Sequence, residues 1–398
     1  MRIKIGDACE FINGGSWTES DYRDNGLPVL KVSNFNTSGF TINDISYLNY
    51  ELGNKYEKNK LELNDIIIAT VGSHPSLVNS AAGRTIRVNS NVVNYYLNQN
   101  AICLRVKEYE IIDQIYLYYL TETTAFRNFI QQRGKGAANQ MRIPISGIKD
   151  FSWDFPPLET QNKIASILSG YDDLIENNLK RIKILEEMAQ QTYEEWFVRM
   201  RFPGHQSATI NSATGLPEGW DKVKLGDFIN FKKGKKLEET FEEKLPETEK
   251  VLLLDSLESG KFNYTKIGNH SLVKRGDILM LMDGARSSYV FLADNGVIGS
   301  TMAKVETKNL PSSLLFYYFQ KNLEWLQINN TGAAIPHANP NFIKKIDFKM
   351  PNKELLDNWE LFIQPIWKNL WNLKDQNQRL REARDILLPR LMMGMVEV

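Results

Sequence analysis

Apolar positions recur between residues 157 and 200 in alternating steps of four and three: Ile164, Leu168, Tyr171, Ile175, then Ile182, Leu185 and Ala189. This is the narrow stripe of a helix that pairs with another helix, not the broader stripe of a helix lying on a core. A shift of 195 positions, from Ile164 to Trp359, lands on a second stripe through Ile363, Ile366, Leu370, Leu373, Leu380, Leu387 and Leu391. Two such stripes predict two long helices packed antiparallel. Gly170 and Pro365 occupy equivalent places, and both residue types weaken a helix interior, so each copy is expected to be a short helix, a bend and a long helix. Asn178 and Asn377 interrupt the stripes with amides. If the midpoints align, the two amides face each other and fix the register of the pair. The residues assigned to helix pairing are therefore Ile164, Leu168, Ile175, Asn178, Ile182 and Leu185, with Ile363, Leu370, Leu373, Asn377 and Leu380.

A block of strand and turn signals precedes each stripe, and the two blocks share an order. Lys4-Ile5-Gly6-Asp7 matches Lys224-Leu225-Gly226-Asp227, and the β-rich runs 28–34 and 251–256 follow. Buried-strand patterns at 66–68 and 278–279 lead into glycine loops at 70–74 and 282–286. Tyr118-Tyr119 and Tyr317-Tyr318 fall in helical runs and read as core. Gly136-Ala137-Ala138 and Gly332-Ala333-Ala334 open the last loops, and Pro156 and Pro351 precede the helices. The expected fold is α/β (α+β), two similar domains separated by two long antiparallel helices in a pseudo-two-fold internal duplication. The domains are 1–156 and 220–351, the helical regions 157–200 and 352–398, and 201–219, rich in Ser, Thr, Gly and Pro, reads as a linker.

Composition narrows the chemistry. With 398 residues, 42% of them hydrophobic, the chain can build ample cores. No apolar run approaches the roughly 18 residues of a membrane span, and the opening Met1-Arg2-Ile3-Lys4 lacks a secretory core, so no membrane and a cytoplasmic location are expected. Two cysteines and four scattered histidines offer neither a disulfide framework nor a metal site. Net charge is zero, which argues against non-specific coating of nucleic acid, but Lys232, Lys233, Lys235 and Lys236 form a local basic run. Phe155-Pro156-Pro157-Leu158 lacks the amide and aromatic of a methyltransferase motif and reads as a helix entry; 133–136 is not a phosphate-binding Walker loop. No catalytic, cofactor-binding or metal-binding residue is assigned.

The run Pro156-Pro157-Leu158-Glu159-Thr160-Gln161-Asn162-Lys163-Ile164-Ala165, with Gly215-Leu216-Pro217-Glu218-Gly219-Trp220 before the second block, resembles the specificity subunit of a type I restriction-modification system. The resemblance spans the full length. At the second helix it departs, with Pro351-Asn352-Lys353-Glu354-Leu355-Leu356 in place of the usual run. It implies two target recognition domains, each reading half of a gapped double-stranded DNA site, with the helices setting the gap. It further implies docking of two modification subunits, and of restriction subunits through them. Those partners would use S-adenosylmethionine, ATP and Mg; this chain would be non-catalytic and bind no cofactor. Partner helices would pack on Ile167, Leu174, Ile184 and Met188. The alternative is a duplicated helical scaffold for protein interaction, without sequence-specific DNA recognition.

DNA readout needs Arg, Lys, Asn, Gln, Ser and Thr on loops that reach phosphates and base edges. In the first block the candidates are Lys31, Ser33, Asn34, Ser73, His74, Arg84, Lys135, Asn139, Gln140 and Arg142. In the second they are Lys232, Lys233, Lys235, Lys236, Arg286, Ser287, Ser288, His337 and Asn339.

Overall fold

A computed structural model describes residues 1–36, 39–40, 45–73, 81–137 and 140–398. It divides into two compact units, Met1–Asn178 with Asp375–Val398, and Leu179–Lys374. Both long helices therefore contribute a stretch to each unit, so the divisions fall inside the helices and not at their ends.

In unit 1 a four-stranded antiparallel sheet runs in the order Thr85–Arg87, Ile66–Ala69, Ala101–Val106, Cys9–Asn13. Ile66–Ala69 is buried at every position because both faces of the sheet are covered. Alternation sends Ile66, Ile68, Ile102 and Leu104 into one core, and Ile67, Ala69, Ala101 and Cys103 into another. Unit 2 repeats the sheet as Val290–Leu292, Ile278–Leu281, Met302–Thr307, Ile229–Lys233. The alternation is repeated as well, with Ile278 and Met280 on one side, Leu279 and Leu281 on the other.

A second small sheet in each unit is built on a short parallel pair. Tyr96–Leu97 lies beside Leu27–Leu30, and Gly296–Ile298 beside Thr248–Leu252. The copies differ at the fourth strand: Ser271–Val273 pairs with Gly296–Ile298, whereas Tyr96 has only a single bridge to Lys60. Arg2–Lys4 against Ser152–Asp154, and Asp221–Lys224 against Asp347–Met350, close each block just before its long helix begins.

The first long helix is Leu158–Tyr193, 36 residues, followed by a π turn at Glu194–Val198; the second is Lys353–Met392, 40 residues. At 1.5 Å per residue they span about 54 and about 60 Å. Each copy is one continuous helix, so the expected division into a short helix and a long one is not found. The helix runs unbroken through Gly170 and through Pro365. Pro365 is exposed, and the carbonyl that loses its N–H partner belongs to Leu361, 76% exposed, so the proline lies on the solvent side of the helix, where a lost backbone bond costs least. Gly170 costs roughly 1 kcal/mol in a helix interior, and fully buried Leu168 two residues before it offsets that.

In unit 1, Ile164, Leu168 and Ile175 are buried and Leu380 is half-buried. Asn178 Nδ2 donates to Asn377 Oδ1 at 2.9 Å, and Asn377 Nδ2 donates to the Ile175 carbonyl at 3.4 Å. Six residues earlier on the first helix, Asp172 meets Arg384, seven residues later on the second, so the paired stretches run antiparallel. In unit 2, Ile182, Ile363, Leu370 and Leu373 are buried and Leu185 half-buried. There Lys374 lies 3.4 Å from Glu186, and Trp196 packs on Trp359 and Phe362, again antiparallel.

Two segments have explanations that the linear pattern hides. Gln161, fully buried, donates to the carbonyls of Ile111 and Pro156 and accepts from the Asp113 amide, tying the helix start to the block before it. The 201–219 stretch is not a structureless linker. Ile210–Asn211 pairs with Leu216–Pro217, Leu216 is buried, and Phe202 stacks on Trp220 with centroids 5.9 Å apart. Few apolar residues anchor it, which is why its composition reads as loop.

Candidate nucleic-acid interface

In unit 1 the glycine loop and the Gly-Ala-Ala loop come together as a three-stranded ribbon, Lys135–Ala137, Gln140–Arg142 and Val71–Gly72. Gly72 has to be glycine because a Cβ there would lie 2.4 Å from the Ala82 amide nitrogen. Lys135 stands opposite Arg142; both are exposed, and neither has an ion-pair partner among the described residues. Ser73 follows the edge strand Val71–Gly72, half-buried. Lys31 lies over the Tyr22 ring at 4.4 Å and donates to Ser46 Oγ at 2.8 Å, while Ser33 is exposed. His74 and Asn139 lie outside the described residues, and of Gln140 only the backbone is described.

Two of the first-block candidates have partners within the protein. Asn34 is 6% exposed, and its Oδ1 accepts from the Lys31 amide to close a tight turn. Arg84 is half-buried and donates to the Phe35 carbonyl at 2.8 Å; burial and nearby Arg127 lower its pKa.

In unit 2 the corresponding loops meet at His337, which bridges both Asp283 and Thr331. The Asp283 carboxylate accepts from Lys233 Nζ at 3.1 Å and lies 2.7 Å from His337 Nδ1. Burial would raise its pKa, but hydrogen bonds from His337 and Lys233 outweigh that and hold it below the ordinary range. Arg286 forms a two-pronged ion pair with Glu258, one prong at 2.8 Å. Lys232, Lys235 and Lys236 are exposed.

Three second-block candidates have partners within the protein. Ser287 and Ser288 are fully buried, because their hydroxyls satisfy Asn330: Ser288 Oγ donates to Asn330 Oδ1 and Asn330 Nδ2 donates to Ser287 Oγ, each at 2.7 Å. Asn339 caps the helix Pro340–Lys344 by accepting from the Phe342 amide at 3.0 Å. Buried Ser and Asn are polar by type but turned inward, and a sequence cannot tell the two apart. Conversely Asp283 and Glu258, which organise the cations of unit 2, carry no sequence signal, since their partners lie 28 to 54 positions away.

The chemistry on offer is donation of hydrogen bonds and positive charge to anionic oxygens and base edges. Neither cysteine is poised as a nucleophile: burial pushes the Cys9 thiol up to about 12 and raises Cys103. Among the described residues no group of histidine, cysteine or carboxylate side chains is arranged to hold a metal, and no helix is long and apolar enough to cross a membrane.

Comparison with known proteins agrees with this layout. A family model, the type I restriction modification DNA specificity domain, matches residues 1–187 and 217–379. The type I restriction enzyme MjaIX specificity subunit of Methanocaldococcus jannaschii is 26% identical over 301 residues, covering 71% of this chain and 69% of that one. The HindI specificity subunit of Haemophilus influenzae is 21% identical over 385 residues, covering 78% and 83%. The crystal structure of a type I S subunit from M. genitalium shares the fold at a TM-score of 0.59 and 17% identity, covering 98% of this chain and 95% of that one. With a duplicated block, a duplicated helix and family matches in both halves, the chain belongs to the type I restriction-modification DNA specificity family and is a specificity subunit with two target recognition domains.

Proposed function

We propose that each recognition domain reads one half of a gapped duplex DNA site, and that the two long helices set the gap and dock two modification subunits. One observation carries the reading: in each copy the Gly-Ala-Ala loop brings nitrogen groups to the surface, Lys135 and Arg142 in unit 1, and in unit 2 His337, beside Lys233 at the end of the strand Ile229–Lys233. The helices keep apolar side chains off their pairing seam, with Ile167 39% and Leu174 55% exposed in unit 1, Ile184 61% and Met188 40% in unit 2. Those residues suit a helical partner. In this reading the chain is non-catalytic and works in the cytoplasm. Methylation with S-adenosylmethionine, and ATP- and Mg-dependent cleavage, belong to the modification and restriction subunits.

The test is to purify the chain with a modification subunit, select bound duplexes from a random library near physiological salt, and sequence them. Two short motifs at a fixed gap are expected; a well-formed complex that enriches no sequence overturns the reading. Inserting one helical turn between Tyr171 and Tyr193 is expected to change the selected gap and leave both half-sites as they were.

A further inference from the structure

The loop 332–336 of unit 2 is built as a rigid presentation hairpin. Thr331 and His337 exchange both backbone hydrogen bonds, at 2.8 and 2.7 Å, and the Gly284 amide donates to the Pro336 carbonyl at 2.9 Å. Gly332, at φ +90°, allows the closure, since a Cβ there would lie 2.3 Å from the Ile335 carbonyl oxygen. Gly332, Ala333 and Ala334 are exposed but small. Ile335 stands out from them, 58% exposed at the far end of a loop pinned on both sides. Leaving an isoleucine in water forgoes about 1.5 to 3 kcal/mol of burial, with no return to the fold itself.

Its surroundings point to what it meets. His337, two residues on, shares the Asp283 carboxylate with Lys233, and Asp283 adjoins the Gly284 amide that pins the loop. Hydrogen-bond donors beside a fixed apolar side chain, the Lys233 ammonium among them, suit a partner with phosphates outside and stacked apolar faces inside. An isoleucine has no hydrogen bond to offer a base edge; it can pack on a thymine methyl or separate a base step, and a side chain held out on a pinned hairpin suits the second, as apolar wedges do in DNA-deforming proteins. We infer that Ile335 is a wedge inserted between two base pairs of the half-site read by the second recognition domain, an inference that rests on the DNA reading above. At the matching place the first domain carries Asn139-Gln140 in sequence where the second has Ile335-Pro336. Deformability would then contribute to recognition of one half-site, hydrogen-bond donors to the other.

The test uses the full chain with its modification subunit and the duplex obtained from the library selection, with 2-aminopurine placed in turn at each position of the second half-site. Besides any base flipped by the modification subunit, wild type is expected to raise the fluorescence at one further step, and Ile335→Ala and Ile335→Asn to abolish that further rise alone and bind roughly tenfold more weakly. A duplex with an abasic site at that step should restore the affinity of both variants, and Ile328→Ala, at another exposed isoleucine, should behave as wild type. If the half-site is selected but Ile335→Ala binds and reports as wild type does, the wedge is overturned while the DNA reading stands. If no half-site is selected at all, both fall.

Discussion

The two units anchor their recognition blocks to the long helices at the same place with opposite chemistry. In unit 1 the Tyr119 hydroxyl donates to Asp172 at 2.6 Å, and Arg384 closes on the same carboxylate at 2.6 Å. A shift of 195 positions takes Asp172 to Trp367 and Ala189 to Arg384. In unit 2 the Trp367 indole donates to the Tyr317 hydroxyl at 3.1 Å, and Ala189 is fully buried. One copy joins block to helix with a half-buried ion pair, the other with an indole and a small neighbour. What the duplication retained is a satisfied tyrosine hydroxyl and a filled volume, and the residue types were free to diverge around them.

Breaking each anchor should expose the difference. Trp367→Ala is expected to cost about 4 kcal/mol through the cavity it leaves, read by urea unfolding of the full chain. Asp172→Ala should cost about 2 kcal/mol, because the Tyr119 hydroxyl loses its acceptor and Arg384 keeps only Asp385. The sharper contrast is rescue: Asp172→Leu with Arg384→Leu should recover most of that loss, whereas no second polar change can restore Trp367→Ala. Failure of the leucine pair to recover stability would show that the ion pair adds more than filled space.

A comparable effect belongs to the amide pair, which only unit 1 contains. Asn178→Leu should cost about 2 kcal/mol by leaving the Asn377 Oδ1 buried without its donor. Asn178→Leu with Asn377→Leu should restore stability yet loosen register, measured as a broader spread of gaps in selected DNA.

Acid should weaken a half-buried ion pair of unit 2. Burial alone would raise the pKa of Asp294, but hydrogen bonds from Arg275 and Lys250 outweigh it and hold the carboxyl low. A lowered folded value gives stability that is present above the unfolded value of about 3.9 and is lost as pH falls through the folded one. The stability difference between wild type and Asp294→Asn should therefore shrink as pH is taken below about 4, followed by urea midpoints at each pH.

The smallest expected effects separate the two cation sets. Lys135→Ala and Arg142→Ala should each lower the salt slope of DNA binding by about one. Lys233→Ala should lower it less, since Asp283 already neutralises part of that charge, and Asp283→Asn should steepen it. Equal slopes for all three cation variants would count against the distinction between free and paired cations.

The seams were legible because pairing helices need an apolar residue every three or four positions, and Ile164, Leu168, Ile363 and Leu370 satisfy that rule without knowledge of a partner. The duplicated strands were legible for a similar reason: doubly covered strands must be apolar throughout, as 66–69 and 278–281 are. The site was less so. Lys135 and Arg142 are exposed, but Asn34, Ser287, Ser288 and Asn339 belong to the same polar classes and are spent on turns, a buried cluster and a helix cap. Sequence by itself determined the periodicities, the repeat and the family. Only the tertiary structure decided which polar groups face inward, that Pro365 leaves its helix unbroken, and that Asp283 gathers Lys233 and His337. Those outcomes depend on partners tens of residues away and on which face meets water, and no local spacing encodes them.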